Sequence, residues 1–148
     1  MKCKELQVGD KVALINGIIA TIVEAGEGYA YATLNGYETM DPWEFNDQDN
    51  HPEGIPLTKE ILDANGFRYE KDHGPFYRSI LGSYSSEYYV CVEWKETPEG
   101  RKICYIDCEK RKDGRGNSAT IRREFYVHTF QQALRLVGLS EIADNFKV

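Results

Sequence analysis

Short runs of β-branched and aromatic residues, separated by turn-forming residues, dominate the first third of the chain. The runs are Lys11–Ile15, Ile18–Glu24, Tyr29–Leu34 and Tyr37–Met40. Asn16-Gly17 and Asn35-Gly36 connect neighbouring runs, and an Asn-Gly pair favours a two-residue hairpin turn because both residues tolerate a positive φ. Short strands at this spacing predict a small β-barrel-like module.

A polar, turn-rich segment, Asn46–Gly54, separates these runs from the rest of the chain. We therefore place an N-terminal module at residues 1–54 and a second module at residues 55–148. Val8–Val12 resembles the first turn and strand of small barrels of the Src-homology type, so we expect that kind of barrel for residues 1–54.

The second module combines helical and strand patterns. Thr58 is a typical N-cap and Gly66 a typical C-cap, which predicts a helix between them. Four apolar runs then predict strands at Phe76–Leu81, Tyr88–Lys95, Arg101–Lys110 and Thr120–Val127. Thr129 and Ser140 are placed to cap two final helices, Phe130–Val137 and Ser140–Phe146. A helix, a four-stranded antiparallel meander and C-terminal helices make residues 55–148 an α+β module, and the whole chain an α+β protein.

Charge is unevenly distributed over the two predicted modules. The chain has 148 residues and a formal net charge of −6, with three basic and ten acidic residues before position 55. This balance argues against a globally basic nucleic-acid or membrane-surface binder, although a local basic patch is compatible with it. No apolar run is long enough for a signal peptide or a membrane span, so we expect a cytoplasmic protein with no membrane partner.

Four cysteines could in principle supply the ligands of a zinc ion. The cysteines, Cys3, Cys91, Cys104 and Cys108, include no C-x-x-C pair, and Cys104 and Cys108 lie four residues apart on a predicted strand. Two such thiols would be about 13 Å apart at ~3.3 Å per residue, which is too far for one tetrahedral ion. We therefore expect buried, reduced thiols and no metal site.

Motifs for catalysis or cofactor binding are weak. His128 is the only histidine beside an apolar strand end, and no nucleophile motif accompanies it. Gly114–Ala119 fits the letters of a dinucleotide-binding loop, but a strand pattern follows where a helix would have to receive the phosphates. The sequence therefore predicts a protein that is not an enzyme and carries no cofactor.

Two features could form a binding surface. The first is a predicted basic loop with a further arginine beyond it; its cations are Lys110, Arg111, Lys112, Arg115 and Arg122. Such a loop can hold phosphates by charge, or it can simply be a soluble hairpin tip.

The second feature is a row of tyrosines. If side chains alternate along the predicted strands, Val90, Val92 and Trp94 face the core, as do Cys104, Ile106 and Cys108. Ile103 and three tyrosines, Tyr89, Tyr105 and Tyr126, then face outward. Tyrosines on an open sheet can stack nucleic-acid bases, or they can stabilise the sheet by cross-strand packing.

Three stretches of the chain have recognisable patterns: Glu5–Val12, Ile55–Phe67 with its IPLT…GF pattern, and Tyr126–Gly138 with its VHxxQ pattern. Together they resemble a family of uncharacterised small proteins of Bacteroides-type gut bacteria and their phages. The resemblance implies the same architecture and a bacterial prophage or mobile-element setting, and it carries no activity.

The sequence leaves two functions open. The first is a non-catalytic accessory protein that binds an unknown protein partner. The second is binding of single-stranded nucleic acid or a nucleotide through the tyrosines and the basic loop.

Overall fold

The computed structural model describes residues 1–71, 74–83, 85–112, 115–122 and 125–148, without the side chains of Lys112 and Arg115. Two antiparallel sheets and three short helices make up the fold, which is therefore α+β as expected. In the described part of the chain, no helix is long and apolar enough to cross a membrane.

The first sheet has four strands in the order of the chain. They are β1 (Lys11–Ala13), β2 (Ile19–Gly26), β3 (Tyr29–Leu34) and β4 (Trp43–Asn46). Gly17 and Gly36 have φ values of +83° and +81°, as the Asn-Gly turns require. β1 and β4 lie at opposite edges, so the sheet is open and not the closed barrel that the strand spacing suggested.

The last strand of this sheet lies later in the sequence than predicted. Tyr37–Met40 forms turns, and Tyr37 and Met40 are exposed. Trp43–Asn46 is β4, because Phe45 is fully buried in the core of the first sheet. Burial of one large aromatic side chain outweighs the β-branched appearance of the earlier run.

The second module contains five strands and three helices. Helix α1 (Lys59–Ala64) begins after the Thr58 cap, whose hydroxyl accepts a hydrogen bond from the Ile61 amide at 3.3 Å. The strands are β5 (Arg68–Lys71), β6 (Phe76–Gly82), β7 (Tyr88–Thr97), β8 (Gly100–Lys112) and β9 (Arg115–Ile121), paired in that order. Helices α2 (Val127–Leu136) and α3 (Ser140–Asp144) end the chain.

Four features of this module differ from the prediction. α3 ends at Asp144 and not at Phe146, and Ser140, which was expected to cap it, is its first residue after the N-cap residue Leu139. β5 is an additional strand, so the meander has five strands and not four. β9 ends at Ile121, whereas a strand was expected from Thr120 to Val127. α2 begins three residues before Phe130, because the Thr129 hydroxyl acts from inside the first turn: it donates to the Tyr126 carbonyl at 2.8 Å and accepts from the Tyr126 amide at 3.2 Å.

One large core fills the space between the meander and the helices. Val90, Val92 and Trp94 of β7 pack in it with Phe130 and Leu134 of α2. A separate core lies under the first sheet. The face of the meander directed away from the helices buries only a small cluster of Ile80, Tyr89 and Cys91.

A set of buried polar contacts joins the two modules. Gln131 of α2 is fully buried; its side-chain oxygen accepts from the Lys11 amide at 2.8 Å, and its Nε2 donates to the carbonyl oxygens of Gly9 (3.0 Å) and Ala143 (2.8 Å). Asp10 is also fully buried and contacts Arg135. The helix α2 is therefore bonded to the turn that opens the first sheet.

Candidate functional site

An open groove of about 640 Å³ lies beside the start of α1. Leu57, Trp94, Ile103 and Phe125 supply its apolar floor. Lys59, Glu60, Arg101 and Lys102 supply charged groups around it. A mainly apolar concavity of several hundred Å³ with a few polar groups is the usual form of a ligand-binding site.

A β-bulge in the meander brings two floor residues together. Glu93 pairs with Tyr105 and Trp94 pairs with Ile103, so Cys104 is an extra residue on β8 between these pairs. A bulge reverses the alternation of side chains beyond it. For that reason Ile103, which strict alternation placed on the outer face, packs against the main core and lines the groove.

Trp94 contributes hydrocarbon surface to this floor and no free polar group. Its ring nitrogen donates a hydrogen bond to Oγ of Ser79 at 3.0 Å, and both residues are buried. The indole is thus held in place by β6, and an apolar ligand group can pack beside it without leaving a buried donor unpaired.

Two tyrosines stack beside the floor. Tyr69 of β5 and Tyr77 of β6 lie with ring planes 5° apart and centroids 5.6 Å apart. Cζ of Arg101 lies 4.0 Å from the Tyr77 centroid and 5.2 Å from the Tyr69 centroid. Nζ of Lys59 lies 4.7 Å from the Tyr69 centroid. Cation–π contacts of this kind fix the cations over the rings.

The Tyr69 hydroxyl is buried and has no hydrogen-bond partner among the described residues. Burial raises the pKa of Tyr69 above its usual value, and the nearby charges of Arg101 and Lys59 act in the opposite direction. The phenol therefore stays protonated at neutral pH and can donate a hydrogen bond. Tyr77 differs, since its hydroxyl already donates to Oε2 of Glu96 at 3.3 Å.

The three cations of the groove are not equivalent. Lys59 pairs with Asp63 at 2.5 Å, and Lys102 lies 3.8 Å from Oε2 of Glu99. Arg101 makes its cation–π contacts but no hydrogen bond or ion pair with any residue that the structure describes. Its guanidinium donors are therefore available to a ligand.

The three tyrosines expected on one open face do not form a platform. Tyr89 is only 5% exposed, because it packs in the small cluster with Ile80 and Cys91. Tyr105 lies on the same face and is half-buried. Tyr126 is not on a strand: it is the N-cap residue of α2, and its ring stacks on that of His128 with centroids 5.7 Å apart.

The residues of the predicted basic loop belong to a strand hairpin. β8 continues through Lys110 and Arg111, which pair with Asn117 and Gly116 of β9, and the backbone of Lys112 pairs with that of Arg115 at the end of the ladder. Nζ of Lys110 donates to the Gly138 carbonyl at 2.9 Å. Nε of Arg111 donates to Glu109 at 2.8 Å, so both cations have partners within the protein.

The other cations of the predicted loop are only partly described. The side chains of Lys112 and Arg115 lie outside the described part of the structure. Arg122 is exposed and follows the end of β9. Lys110, Arg111, Lys112 and Arg115 thus lie at the closed end of the β8–β9 hairpin, whereas Arg122 follows the other end of β9, so the five cations do not form one loop.

Sequence reasoning missed the groove. The sequence analysis predicts no strand at Arg68–Lys71. Phe67 and Tyr69 nevertheless alternate with charged residues directly after Gly66, which follows α1. That alternation is the signal that could have identified β5 and Tyr69. The contact of Arg101 with both tyrosine rings depends on the order of the strands and was not readable from spacing.

Comparison with known proteins gives one result. No family model, curated protein or solved structure matches the chain. The groove and its charges are therefore the features of the molecule from which a function can be inferred.

Proposed function

We propose that the chain is a non-catalytic binding protein whose groove takes an acidic segment of a partner protein, with an apolar side chain seated on the floor. The observation that carries this proposal is the juxtaposition of an apolar floor and three cations in one groove. The resemblance to small proteins of gut bacteria and phages is our reason to regard it as an accessory factor of a mobile element.

The apolar floor supports the first part of the proposal. Leu57 and Trp94 are buried at its base, and Ile103 and Phe125 are partly exposed at its sides. A leucine- or phenylalanine-sized side chain fits a groove of about 640 Å³, and its transfer from water is worth about 1.5–3 kcal/mol when burial is complete.

The local charge supports the second part. Three cations line the groove: Lys59, Arg101 and Lys102. Glu60 is the only acidic residue among the described lining residues, in a chain whose net charge is −6. A concentration of positive charge on an acidic protein selects an acidic partner locally and increases the association rate.

The arrangement of the rings favours a protein partner over a nucleic acid. Tyr69 and Tyr77 stack on each other and are contacted by Arg101 and Lys59, and Trp94 is 5% exposed. Base stacking needs an open ring face of substantial area. The groove does not offer such a ring face; it offers the edges of apolar side chains and three cations.

Selection from a random peptide library with the intact protein tests the proposal. We expect the selected peptides to share an acidic residue near a large apolar residue and to shift the amide NMR signals of Leu57–Glu60 and Arg101–Ile103. Ile103→Asp should abolish this binding, whereas Ile15→Asp, at a side chain 89% exposed and outside the groove, should not.

Two results would overturn the proposal. One is the absence of any peptide whose binding shifts the groove signals while circular dichroism shows both variants folded. The other is tight binding of labelled single-stranded oligonucleotides that depends on Arg111 and Arg122, which would favour the nucleic-acid function.

A further inference from the structure

Arg101 and Tyr69 present side-chain donors in the groove that have no hydrogen-bond partner among the described residues. The Arg101 guanidinium is exposed and lies over two rings, with Cζ 4.0 Å from the Tyr77 centroid and 5.2 Å from the Tyr69 centroid. The Tyr69 hydroxyl is buried without an acceptor. An unpaired donor is unusual at a buried position such as that of the Tyr69 hydroxyl, and a bound acceptor removes the cost of leaving it unpaired.

We infer that Arg101 and Tyr69 form a carboxylate-binding position, in which the guanidinium pairs with both oxygens of a carboxylate and the Tyr69 hydroxyl donates a further hydrogen bond to it. This inference rests on the proposed function and names the group that the partner must present. The carboxylate belongs to an aspartate or glutamate side chain, or to the C-terminus, of the bound segment.

The geometry of the two groups fits one anion. An arginine fork matches the two oxygens of a carboxylate, and the contacts with the tyrosine rings restrict the guanidinium before the ligand arrives. Cζ of Arg101 lies 5.2 Å from the centroid of the Tyr69 ring, which places the two groups side by side in the groove. Floor residues Trp94 and Ile103 lie in the same groove and receive the neighbouring apolar side chain.

The other two cations differ from Arg101. Lys59 and Lys102 have acidic partners, Asp63 and Glu99, within the protein. An ammonium group is also a point charge without a fork, so it attracts an anion but does not fix its orientation. We therefore assign orientation of the ligand to Arg101 and general attraction to the lysines.

A pair of small probes tests the carboxylate position without a peptide. N-acetyl-leucinate carries a carboxylate beside an apolar side chain, and N-acetyl-leucinamide is its uncharged counterpart. We expect the carboxylate to shift the amide signals of Tyr69 and Arg101–Ile103, with at least about tenfold weaker binding of the amide, as the loss of a charge-assisted hydrogen bond implies.

Matched variants then separate charge from geometry. Arg101→Lys keeps the charge and should weaken binding of the carboxylate about tenfold, and Tyr69→Phe should weaken it several-fold. Tyr77→Phe is the control for the hydroxyl, since that hydroxyl already donates to Glu96. Lys4→Ala, at an exposed lysine outside the groove, is the control for charge, and both controls should bind within about twofold of the wild type.

The outcomes distinguish this inference from the proposed function. If selected peptides bind the groove but bind equally well to Arg101→Lys and with their carboxylates replaced by amides, the carboxylate position is wrong and the peptide groove stands. If leucinate binds as expected but no peptide does, the carboxylate position stands and the protein partner is wrong. Equal binding of leucinate and leucinamide contradicts the inference directly.

Replacing carboxylates one at a time in a selected peptide identifies their source. Loss of binding with a C-terminal amide assigns the position to the end of the partner chain. Loss with asparagine or glutamine in place of an internal acid assigns it to a side chain.

Discussion

Asp10 and Arg135 form an ion pair across the two modules: Oδ1 of Asp10 lies 2.5 Å from Nη1 of Arg135. Asp10 is fully buried, and its other oxygen accepts hydrogen bonds from the Gln7 amide at 2.9 Å and from Nε2 of Gln132 at 2.5 Å. Its carboxylate therefore orders the opening turn of the first sheet and the docking of α2 at the same time. Asp10, within the stretch Val8–Val12, therefore has a structural role.

We expect Asp10→Ala to lower the free energy of unfolding by roughly 3 kcal/mol, because it leaves buried donors without an acceptor. Chemical denaturation measures the change. Asp144→Asn is the matched control: Asp144 contacts the same arginine at 3.1 Å but has a side chain 57% exposed, so its loss should cost less than about 1 kcal/mol. Equal losses for the two variants would show that the buried pair contributes nothing special.

Gly9→Ala should destabilise the protein more than Gly17→Ala. Both glycines have a left-handed φ, +89° and +83°, which costs an L-residue about 1 kcal/mol. A Cβ on Gly17 meets no atom within 4 Å, whereas one on Gly9 would lie 2.8 Å from Nη2 of Arg135. Since Arg135 is held by Asp10, its displacement weakens the ion pair.

The difference between these two alanine variants isolates the contact with Arg135 from the backbone strain. We expect it to be at least about 1 kcal/mol in the free energy of unfolding. A combination of Gly9→Ala with Asp10→Ala should then cost less than the sum of the two separate losses, since both act on the same pair. If the two losses in the free energy of unfolding add exactly, Gly9→Ala does not act through the Asp10–Arg135 ion pair.

The buried contacts of Gln131 and Asp10 predict that both modules unfold in one step. Trp43 lies in the first sheet and Trp94 in the meander, so Trp94→Phe and Trp43→Phe each leave a fluorescence probe in one module. In each variant, the fluorescence midpoint in denaturant should coincide with the midpoint from far-ultraviolet circular dichroism. Separate transitions in either variant would mean that the modules are energetically independent.

Local signals in the sequence predicted most of the elements. The Asn16-Gly17 hairpin, the Thr58 cap and the apolar runs of β6, β7 and β8 are set by neighbouring residues, and the structure confirms them. Asn35-Gly36 forms a turn, but the two-residue hairpin expected there is wrong, because the next strand begins at Trp43. The start of α2 was wrong because Thr129 caps from inside the helix and not from its first flanking position. Such reciprocal bonding is local, but it depends on backbone geometry that the sequence pattern does not show.

The candidate site was less predictable because it depends on non-local relations. A single bulge at Cys104 moves Ile103 from the outer face of the meander to the core side, and no sequence motif predicts that bulge. Burial of Tyr89 and the stacking of Arg101 on Tyr77 both require the strand order β5-β6-β7-β8. The alternation of apolar and polar residues predicts which side chains share a face of a strand. It does not predict which strands lie beside it in the sheet.

The buried thiols predict a loss of stability at alkaline pH. Burial, followed by the nearby Asp107 and Cys91, raises the pKa of Cys108 to about 12 from the value of 9.0 expected in the unfolded chain. Below pH 9 the thiol is protonated in both states, so its contribution to stability is complete. As the pH rises from 9 towards 12, the unfolded chain ionises first and the free energy of unfolding falls, by up to about 1.4 kcal/mol per pH unit for one thiol.

Denaturation of the wild type and of Cys108→Ala at a series of pH values above 9 tests this account. The alanine variant should be less stable at neutral pH, because it leaves a small cavity at a fully buried position. Its stability should nevertheless fall less steeply with pH than that of the wild type, so the two curves converge. Tyrosine and lysine ionisation affects both proteins alike and cancels in the difference. Parallel curves would mean that Cys108 ionises as readily in the folded protein as in the unfolded chain, contrary to its burial between the meander and the helices.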